Sequence, residues 1–299
     1  MLEALRRSGV IDASYNECAP LDTAKSHRLI ALGRHGTPEI VVKLDRPDVL
    51  WAAARFLQTY GASPVVPRLR YVDPDFGFFA YEYVPGADPR ESTDRIDKAQ
   101  ALQTIVRDLL SRYVAADAAD ACWVDELYPP DNDTGHLGRT WQGFISMYLY
   151  HRHMAVRPHL PSDAEALVRD LAVSPERRGD TPLALLHGDC GAHNFVFRGG
   201  ALTGVIDPRP VAGEPIWDLA MVFVSWPDAL TLDAIAPAAE ALERAGRWGP
   251  PPRERQRLLT EEVLIALYAW IGVVAKHIPK ELPVYIAAWA RWTDLLGRA

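Results

Sequence analysis

The order of apolar and polar positions changes character part of the way along the chain. Residues 1–85 carry short apolar, β-branched runs, such as His27–Leu32 and Glu39–Leu44 on either side of Gly33–Gly36. Such runs, separated by turn residues, predict strands joined in hairpins. Further on, apolar residues recur every three or four positions, as in Arg95–Ala115, which predicts amphipathic helices. A β-rich front followed by a helical remainder predicts an α+β protein with two lobes.

Helical patterning extends to the end of the chain. Pro47 is placed to begin a helix over Asp48–Tyr60, since proline suits the first helical turn. Further helices are predicted at Trp141–His151, Ala164–Ala172, Asp218–Ser225, Ala234–Ala245, Arg253–Ala275 and Glu281–Leu296. The longest apolar stretch, Val263–Ala275, is shorter than the roughly 20 residues that span a bilayer, and we interpret it as part of a buried helix.

Strand signals return between residues 183 and 220. Three apolar runs, Leu183–Leu186, Phe195–Phe197 and Leu202–Ile206, alternate there with polar clusters. Gly199-Gly200 separates the last two runs, and a glycine pair between apolar runs is typical of a tight hairpin turn. The segment therefore predicts a β-hairpin within the helical part of the chain.

Polar side chains with oxygen atoms stand at the ends of these strands. Asn194 directly precedes one strand of the predicted hairpin and Asp207 follows its partner, so the two are expected to lie close together. Asp189 lies on the loop that leads into Asn194. Carboxylate and carboxamide oxygens suit Mg²⁺, which takes few protein ligands and completes its shell with water and phosphate. The alternative for any one of these residues is an ordinary turn cap.

Composition and charge narrow the class of protein. The chain has 299 residues, 48% of them hydrophobic and 24% charged, which allows two lobes with a substantial core. The net charge of −7 does not favour a nucleic-acid partner, because phosphate binding needs a basic surface, whereas a cationic small molecule is compatible with it. The three cysteines show no disulfide or metal spacing, and the first residues lack the apolar core of a signal peptide. We therefore expect a cytoplasmic protein without a membrane partner.

Three motifs follow one another in this region. They are His187-Gly-Asp-Cys-Gly-Ala-His-Asn194, Val205-Ile-Asp-Pro208 and Gly213-Glu-Pro-Ile-Trp-Asp-Leu-Ala220. Together they resemble the aminoglycoside phosphotransferase family, which is related to choline and homoserine kinases and has the protein-kinase-like fold. The resemblance implies a bilobal α+β protein: a small β-rich nucleotide-binding lobe over residues 1–85, a hinge at about 80–86, and a larger, mostly helical lobe over 87–299 for catalysis and acceptor binding.

The resemblance also implies roles for the residues of these motifs. Asp189 resembles the catalytic aspartate, which accepts or orients the proton of the substrate hydroxyl as its oxygen attacks the γ-phosphorus. Asn194 and Asp207 resemble the magnesium ligands. His187 and Asp218 resemble the residues that hold the catalytic loop without taking part in the chemistry.

Nucleotide-binding residues are implied in the front lobe. Lys43 falls on the strand where these enzymes keep the lysine that contacts the α and β phosphates, although a strand lysine can also extend to solvent at a sheet edge. The backbone carbonyl of Glu82 and the amide of Val84 match the hinge that binds adenine. Thr23 or Ser26 lies in a loop that resembles the phosphate-covering loop of aminoglycoside kinases.

One element of the kinase pattern is missing from the front lobe. The carboxylates between Ile40 and Tyr81 are Asp45, Asp48, Asp73 and Asp75, so the helix after the Lys43 strand contains no glutamate to pair with the lysine. Asp48 is the candidate replacement, but its side chain is short and lies at the helix start. We therefore expect no simple ion pair in the protein and expect Lys43 to be held by nucleotide phosphate alone.

These features predict a magnesium-dependent kinase that moves the γ-phosphate of ATP, or of GTP, to a small-molecule hydroxyl. An aminoglycoside or related antibiotic is the leading acceptor, with antibiotic resistance or self-protection as the role. The alternatives are a kinase of another small alcohol, namely a nucleoside antibiotic, sugar, choline or homoserine, and a nucleotide-binding pseudokinase, which the missing glutamate would fit. The chain is expected to be a monomer or a homodimer.

The acceptor pocket is expected in the helical lobe. The candidate acceptor-binding residues are Tyr148, His193, Arg209 and Trp270. Trp141 and His151 are further candidates. Aromatic residues at helical spacing are, however, also typical of a core. The acidic stretch from Asp117 to Asp133 would suit a cationic acceptor, and it is equally compatible with a solvated loop.

Overall fold

The structure is a computed structural model that describes residues 1–17, 28–90, 92, 95–117, 140–174 and 183–298. Thr23 and Ser26, which the sequence assigns to phosphate binding, lie outside the described residues. The same holds for the acidic stretch after Asp117.

The described chain forms two compact units. The first unit comprises Met1–Ile96 and Asn194–Pro210, and the second comprises Asp97–His193 and Val211–Ala299. The first unit therefore includes a segment that the sequence-based division assigned to the helical lobe. The lobe boundary and the hinge at residues 80–86 stay predictions.

A five-stranded antiparallel sheet forms most of the first unit. Its strands are β1 (Asn16–Glu17), β2 (Arg28–Arg34), β3 (Thr37–Leu44), β4 (Leu69–Val72) and β5 (Phe79–Glu82), in the spatial order β1-β2-β3-β5-β4. Helix α1 (Leu2–Arg7) precedes the sheet and helix α2 (Pro47–Tyr60) follows β3. The predicted hairpin between β2 and β3 and the helix beginning at Pro47 are confirmed. Helix α1 was not predicted.

The two faces of β3 have different surroundings. Ile40 and Val42 belong to a core cluster that also contains Leu5 of α1. Because side chains alternate along a strand, Val41 and Lys43 point to the opposite face. Lys43 lies opposite Phe79 of β5 in the register. The sheet thus has one face packed on α1 and another that carries the lysine.

A second hairpin completes the first unit. Strands β7 (Phe195–Arg198) and β8 (Ala201–Val205) pair antiparallel, and Gly199 and Gly200 make the turn with φ of 60° and 77°. Positive φ at both positions favours glycine. The hairpin predicted between residues 195 and 206 is therefore confirmed. It is joined to the chain after β5 by reciprocal bonds between Ala87 and Phe197, in which each N–H donates to the other carbonyl at 2.9 Å.

Helices form most of the second unit. They are α3 (Lys98–Asp108), α4 (Trp141–Val156), α5 (Ala164–Val173), α6 (Pro215–Val224), α7 (Leu232–Arg244), α8 (Arg255–His277) and α9 (Leu282–Arg298). Two short strands, β6 (Ala184–Leu186) and β9 (Val211–Gly213), pair antiparallel. Strand β9 was not predicted.

Helix α8 is the core helix of this unit. Its 23 residues are long and apolar enough to cross a membrane, but 89% of its most apolar 18-residue window is buried inside the protein. Val263–Ala275 is therefore part of a helix that extends beyond this stretch and could span a bilayer by its length. The interpretation as a buried helix is confirmed.

Two helices begin at residues other than the predicted ones, and the residues at their N-termini explain the difference. The helix predicted over Arg95–Ala115 is confined to α3 and a short turn at Leu110–Arg112. Asp97 caps α3, because its side chain accepts the N–H of Gln100 at 3.0 Å. Helix α6 begins before the predicted Asp218, since Pro215 occupies its first turn.

Candidate active site

The end of the β7–β8 hairpin brings two predicted ligands together in the first unit. Phe195 pairs with Val205, and the N–H of Ile206 donates to the carbonyl of Asn194 at 2.9 Å. Asp207 is the next residue along, so the expectation that it lies close to Asn194 is confirmed. Asp207 has a φ of 55°, a left-handed conformation that aspartate adopts more readily than most residues.

Lys43 forms a salt bridge with Asp207. The lysine side chain is 3% exposed and the aspartate side chain 20% exposed, so the pair is largely buried. Asp48, the only carboxylate of α2, pairs instead with Arg46 at 2.7 Å. The expectation that Lys43 is held by phosphate alone is therefore wrong. Its partner is a residue 164 positions away, which no local sequence pattern indicates.

The side chains beside this pair are aromatic. Tyr81 lies opposite Val41 in the register and therefore on the same face of the sheet as Lys43. Burial, together with the negative charge of Asp207, raises the pKa of the Tyr81 hydroxyl well above its ordinary value. The Tyr81 ring lies 5.7 Å from that of Phe79. These neighbours keep water away from the ion pair and strengthen its electrostatic interaction.

The oxygen atoms of Asn194 and Asp207 fit a magnesium ion. Both are hard ligands, and Mg²⁺ needs one or two carboxylates while phosphate and water supply the rest. Asn194 is only 5% exposed, so its carboxamide is held in place. Within the described part of the chain, no group of three or more His, Cys, Asp or Glu side chains is arranged to hold a metal. Carboxylate and carboxamide oxygens are hard donors and suit Mg²⁺, whereas a structural zinc site is built mainly from cysteine sulfur and histidine nitrogen.

The hinge residues lie at the end of β5, also in the first unit. Glu82 pairs with Ile40 in the register, so its side chain points to the face opposite Lys43. There it forms a salt bridge with Arg70 at 3.3 Å and lines a cavity of about 440 Å³ together with Tyr15 and Ile40. The N–H of the next residue, Tyr83, donates to the carbonyl of Glu39 at 2.9 Å and so takes part in the hydrogen bonding beside the sheet. The contact of the Glu82 carbonyl with adenine stays a prediction.

In the second unit, Asp218 holds the backbone of the loop before Asp189. The N–H of His187 donates to Oδ2 of Asp218 at 2.9 Å, and the N–H of Gly188 donates to Oδ1 at 3.3 Å. The hydroxyl of Tyr113 also donates to Oδ2, at 2.6 Å. Burial raises the pKa of Asp218 to about 7, against the lowering effect of these donors. Sequence reasoning missed Tyr113, because a lone tyrosine after a helix carries no signal.

Asp189 itself lies on a partly exposed loop of the second unit. Its side chain is 31% exposed, and its Oδ2 lies 3.4 Å from Nε2 of His193. The His193 ring stacks on Trp270 at 5.9 Å. Two of the predicted acceptor-binding residues are thus grouped beside the predicted catalytic residue.

The remaining candidates are divided between core and surface. Trp141 is 4% exposed and packs edge-on against Trp217 at 6.0 Å, so it belongs to the core, as the alternative interpretation allowed. Tyr148 is half-buried and also packs edge-on against Trp217, at 5.6 Å. His151 is exposed on α4, and Arg209 is half-buried in the first unit. The packing role of Trp217, in the third motif, was not predicted.

Solved structures with the same fold include phosphotransferases and kinases of small molecules. A macrolide 2'-phosphotransferase from Brachybacterium faecium has a TM-score of 0.56 at 18% identity, covering 96% of both chains. An ethanolamine kinase of Plasmodium vivax has a TM-score of 0.54 at 11% identity, covering 97% of this chain and 86% of that one. A thermostable variant of aminoglycoside phosphotransferase APH(4)-Ia, in complex with ADP and hygromycin B, has a TM-score of 0.52 at 16% identity, covering 99% and 97%. These likenesses confirm the predicted α+β, protein-kinase-like fold.

The sequence comparisons complete this picture. No curated protein sequence matches the chain. A family model described as "APH: Phosphotransferase enzyme family" matches residues 27–259, which is most of the chain. The chain therefore belongs to the APH phosphotransferase family and is a kinase-like enzyme that transfers phosphate to a hydroxyl group of a small molecule.

Proposed function

We propose that this enzyme transfers the γ-phosphate of ATP or GTP, with Mg²⁺, to a hydroxyl of an aminoglycoside or a related antibiotic. One observation carries the proposal: the buried pair of Lys43 and Asp207 at the end of the hairpin that also presents Asn194. A cation and two oxygen ligands in one small volume of the first unit suit the phosphates of a metal-bound nucleotide.

Each of these residues has a distinct task in the proposed reaction. Asn194 and Asp207 would hold Mg²⁺, which would supply positive charge to offset the negative charge of the nucleotide phosphates. Lys43 contacts the α and β phosphates, and strand β3 fixes the direction in which its side chain points. Phosphoryl transfer requires mostly positioning and electrostatic stabilisation, and buried side chains with fixed positions can provide both.

Asp189 acts on the acceptor. The acceptor oxygen forms a bond to the γ-phosphorus as the bond from that phosphorus to the β,γ-bridging oxygen breaks, and the nucleoside diphosphate leaves. Asp189 accepts the proton that the hydroxyl loses, or orients it. Asp218 accepts hydrogen bonds from the N–H groups of His187 and Gly188, and it thereby fixes the backbone that leads to the Asp189 carboxylate.

The acceptor class rests on the family and on charge. An acidic stretch follows Asp117 in the sequence, and a cationic antibiotic complements it. A kinase of another small alcohol is the second candidate, and the similar ethanolamine kinase favours it. The Lys43–Asp207 pair argues against a pseudokinase, because the lysine keeps a counter-ion although α2 has no glutamate. We propose that the enzyme is cytoplasmic and acts as a monomer or homodimer.

The test is a panel of acceptors assayed with ATP and with GTP. Aminoglycosides, macrolides, nucleosides, sugars, choline, ethanolamine and homoserine would each be incubated with the purified enzyme and Mg²⁺, and the phosphorylated product identified by mass spectrometry. We expect one class to be phosphorylated. No product from any acceptor, with intact magnesium-dependent nucleotide binding, would instead support the pseudokinase.

Asp189→Ala then tests the mechanism on the acceptor that the panel identifies. The expected loss in kcat is at least about 100-fold, because the variant lacks the group that takes the proton. Asp75→Ala, at an exposed aspartate of the first unit, is the matched control and should be as active as the wild type. Asp189→Ala enzyme that transfers phosphate at the wild-type rate would refute the mechanism.

A further inference from the structure

A contact in the second unit connects the loop after Asp189 to the core helix α8. The ring of His193 stacks on Trp270 with 5.9 Å between centroids and 27° between planes. Nε2 of the same imidazole lies 3.4 Å from Oδ2 of Asp189. Trp270 is fixed in turn, because it is 6% exposed and its Nε1–H donates to the hydroxyl of Tyr285 at 3.1 Å. A side chain of the core thus determines where the imidazole stands.

The space for this imidazole depends on Gly191. A Cβ atom at Gly191 would lie 2.7 Å from both Cε1 and Nδ1 of His193, and 3.2 Å from Cη2 of Trp270. Such distances are too short, so an alanine would displace the ring. Gly191 does not have a positive φ, and the effect of alanine there would therefore be steric and not a matter of backbone strain.

The backbone of the loop is held as well. The N–H of Gly191 donates to the carbonyl of Asp189 at 2.9 Å, and the N–H of Ala192 donates to Oγ of Ser225 at 2.9 Å. Ser225 follows helix α6 and bonds the carbonyl of Val222 at 2.7 Å. Since this backbone is fixed, the orientation of the Asp189 carboxylate depends on its side-chain torsions, and the imidazole of His193 contacts that carboxylate.

We propose that His193 is a positioning residue for Asp189. Its imidazole, fixed on Trp270, donates a hydrogen bond from Nε2 to Oδ2 and holds the carboxylate in one orientation for the acceptor hydroxyl. This inference rests on the proposed function, in which Asp189 handles the proton of the acceptor. The two side chains are 31% and 35% exposed, so the bond adds little to stability, and its effect falls on the geometry of transfer.

For His193 and Trp270, the proposed role differs from the one predicted from the sequence. His193 and Trp270 were predicted to bind the acceptor. In the structure, the polar atom of Trp270 is bonded to Tyr285 and its ring carries His193. Both residues therefore act through Asp189.

Substitutions of His193 separate the hydrogen bond from the stacking. His193→Phe keeps a ring on Trp270 but has no donor, and it should lower kcat about tenfold while the KM for the acceptor stays the same. His193→Gln offers an amide N–H near the position of Nε2 and should recover part of that loss. His277→Phe, at an exposed histidine in the last turn of α8, is the matched control and should leave kcat unchanged.

A double-mutant cycle tests the steric part of the inference. Gly191→Ala should lower kcat to a similar degree, because the alanine displaces the imidazole. In a His193→Ala background the same alanine should have much less effect, since the ring that it would strike is gone. Additive losses in the double variant would contradict the inference.

Other outcomes overturn the proposal directly. A raised acceptor KM with unchanged kcat would make His193 an acceptor-binding residue, and equal losses for His193→Gln and His193→Phe would exclude the hydrogen bond. If the wild type phosphorylates no acceptor, the proposed function fails, and the contact between His193 and Asp189 must be tested without an activity assay. Long-range ¹H–¹⁵N spectra should show a proton on Nε2 of His193 and a changed Nε2 shift in Asp189→Asn; a proton on Nδ1 alone would refute the contact.

Discussion

The buried pair of Lys43 and Asp207 predicts unequal costs for removing its two members from the nucleotide-free protein. Asp207→Asn leaves the ammonium of Lys43 uncompensated in a site where the lysine side chain is 3% exposed. Breaking a buried pair in this way costs about 3–5 kcal/mol. Because the Asp207 side chain keeps 20% exposure, we expect the lower end, about 3 kcal/mol of unfolding free energy.

The reverse substitution should cost less. Lys43→Met keeps the length of the lysine stem and leaves Asp207, which still reaches water, so we expect a loss of about 1 kcal/mol. Lys43→Met combined with Asp207→Asn should cost no more than Asp207→Asn alone, because the buried charge is gone. The excess of the summed single costs over the double cost measures the coupling.

Urea unfolding followed by circular dichroism, at one pH and without nucleotide or Mg²⁺, provides these free energies. Asp48→Asn is the control in the same unit, since its partner Arg46 is 62% exposed, and it should change stability by less than about 0.5 kcal/mol. Equal costs for Asp207→Asn and Lys43→Met, adding up in the double variant, would refute the argument that the pair is buried and coupled.

Two further predictions concern Asp218 and Gly86. Burial raises the pKa of Asp218 to about 7 from an ordinary 3.8, so the folded state holds this proton more tightly and the contribution of Asp218 to stability is largest below about pH 4 and declines towards pH 7. The difference in urea midpoint between the wild type and Asp218→Asn should therefore decrease over that range, and an increase with pH would contradict the cause given. Gly86 has a φ of 149°, and a Cβ there would lie 2.5 Å from the carbonyl oxygen of Phe197, so Gly86→Ala should lose about 2–4 kcal/mol. Gly297→Ala, with open space around its Cβ position, should change stability by less than about 0.5 kcal/mol; similar thermal midpoints for the two variants would show that Gly86 is not under steric restraint.

Local patterns predicted the elements that depend on neighbouring residues. The hairpin around Gly199-Gly200 follows from two apolar runs and a turn that only glycine suits, and Pro47 marks the start of α2. Strand β9, three residues long, shows no alternation and forms because β6 pairs with it. Helix α1, six residues long, is stabilised by Leu5, which is fully buried against the sheet.

The site shows the same division between local and long-range effects. The closeness of Asn194 and Asp207 could be predicted, since it follows from hairpin geometry. The partner of Lys43 could not be predicted, because Asp207 lies 164 positions away and the pair depends on the packing of β3 against the β7–β8 hairpin. The bond from Tyr113 to Asp218 spans 105 positions and is equally invisible in the sequence. The absence of a glutamate from α2 was correctly noted, but the carboxylate that pairs with Lys43 instead is set by tertiary structure.

The division of the first unit between two stretches of chain has a consequence for synthesis. When residues 1–96 have left the ribosome, the carbonyl of Val65 still lacks the N–H of Val205, and Ala87 lacks Phe197. The ammonium of Lys43 then lacks the carboxylate of Asp207, which is made more than 150 residues later. A nascent chain therefore completes its first unit only after much of the second unit has been translated. The ammonium of Lys43 stays hydrated until the carboxylate of Asp207 has been made, which links the order of translation to the assembly of this buried pair.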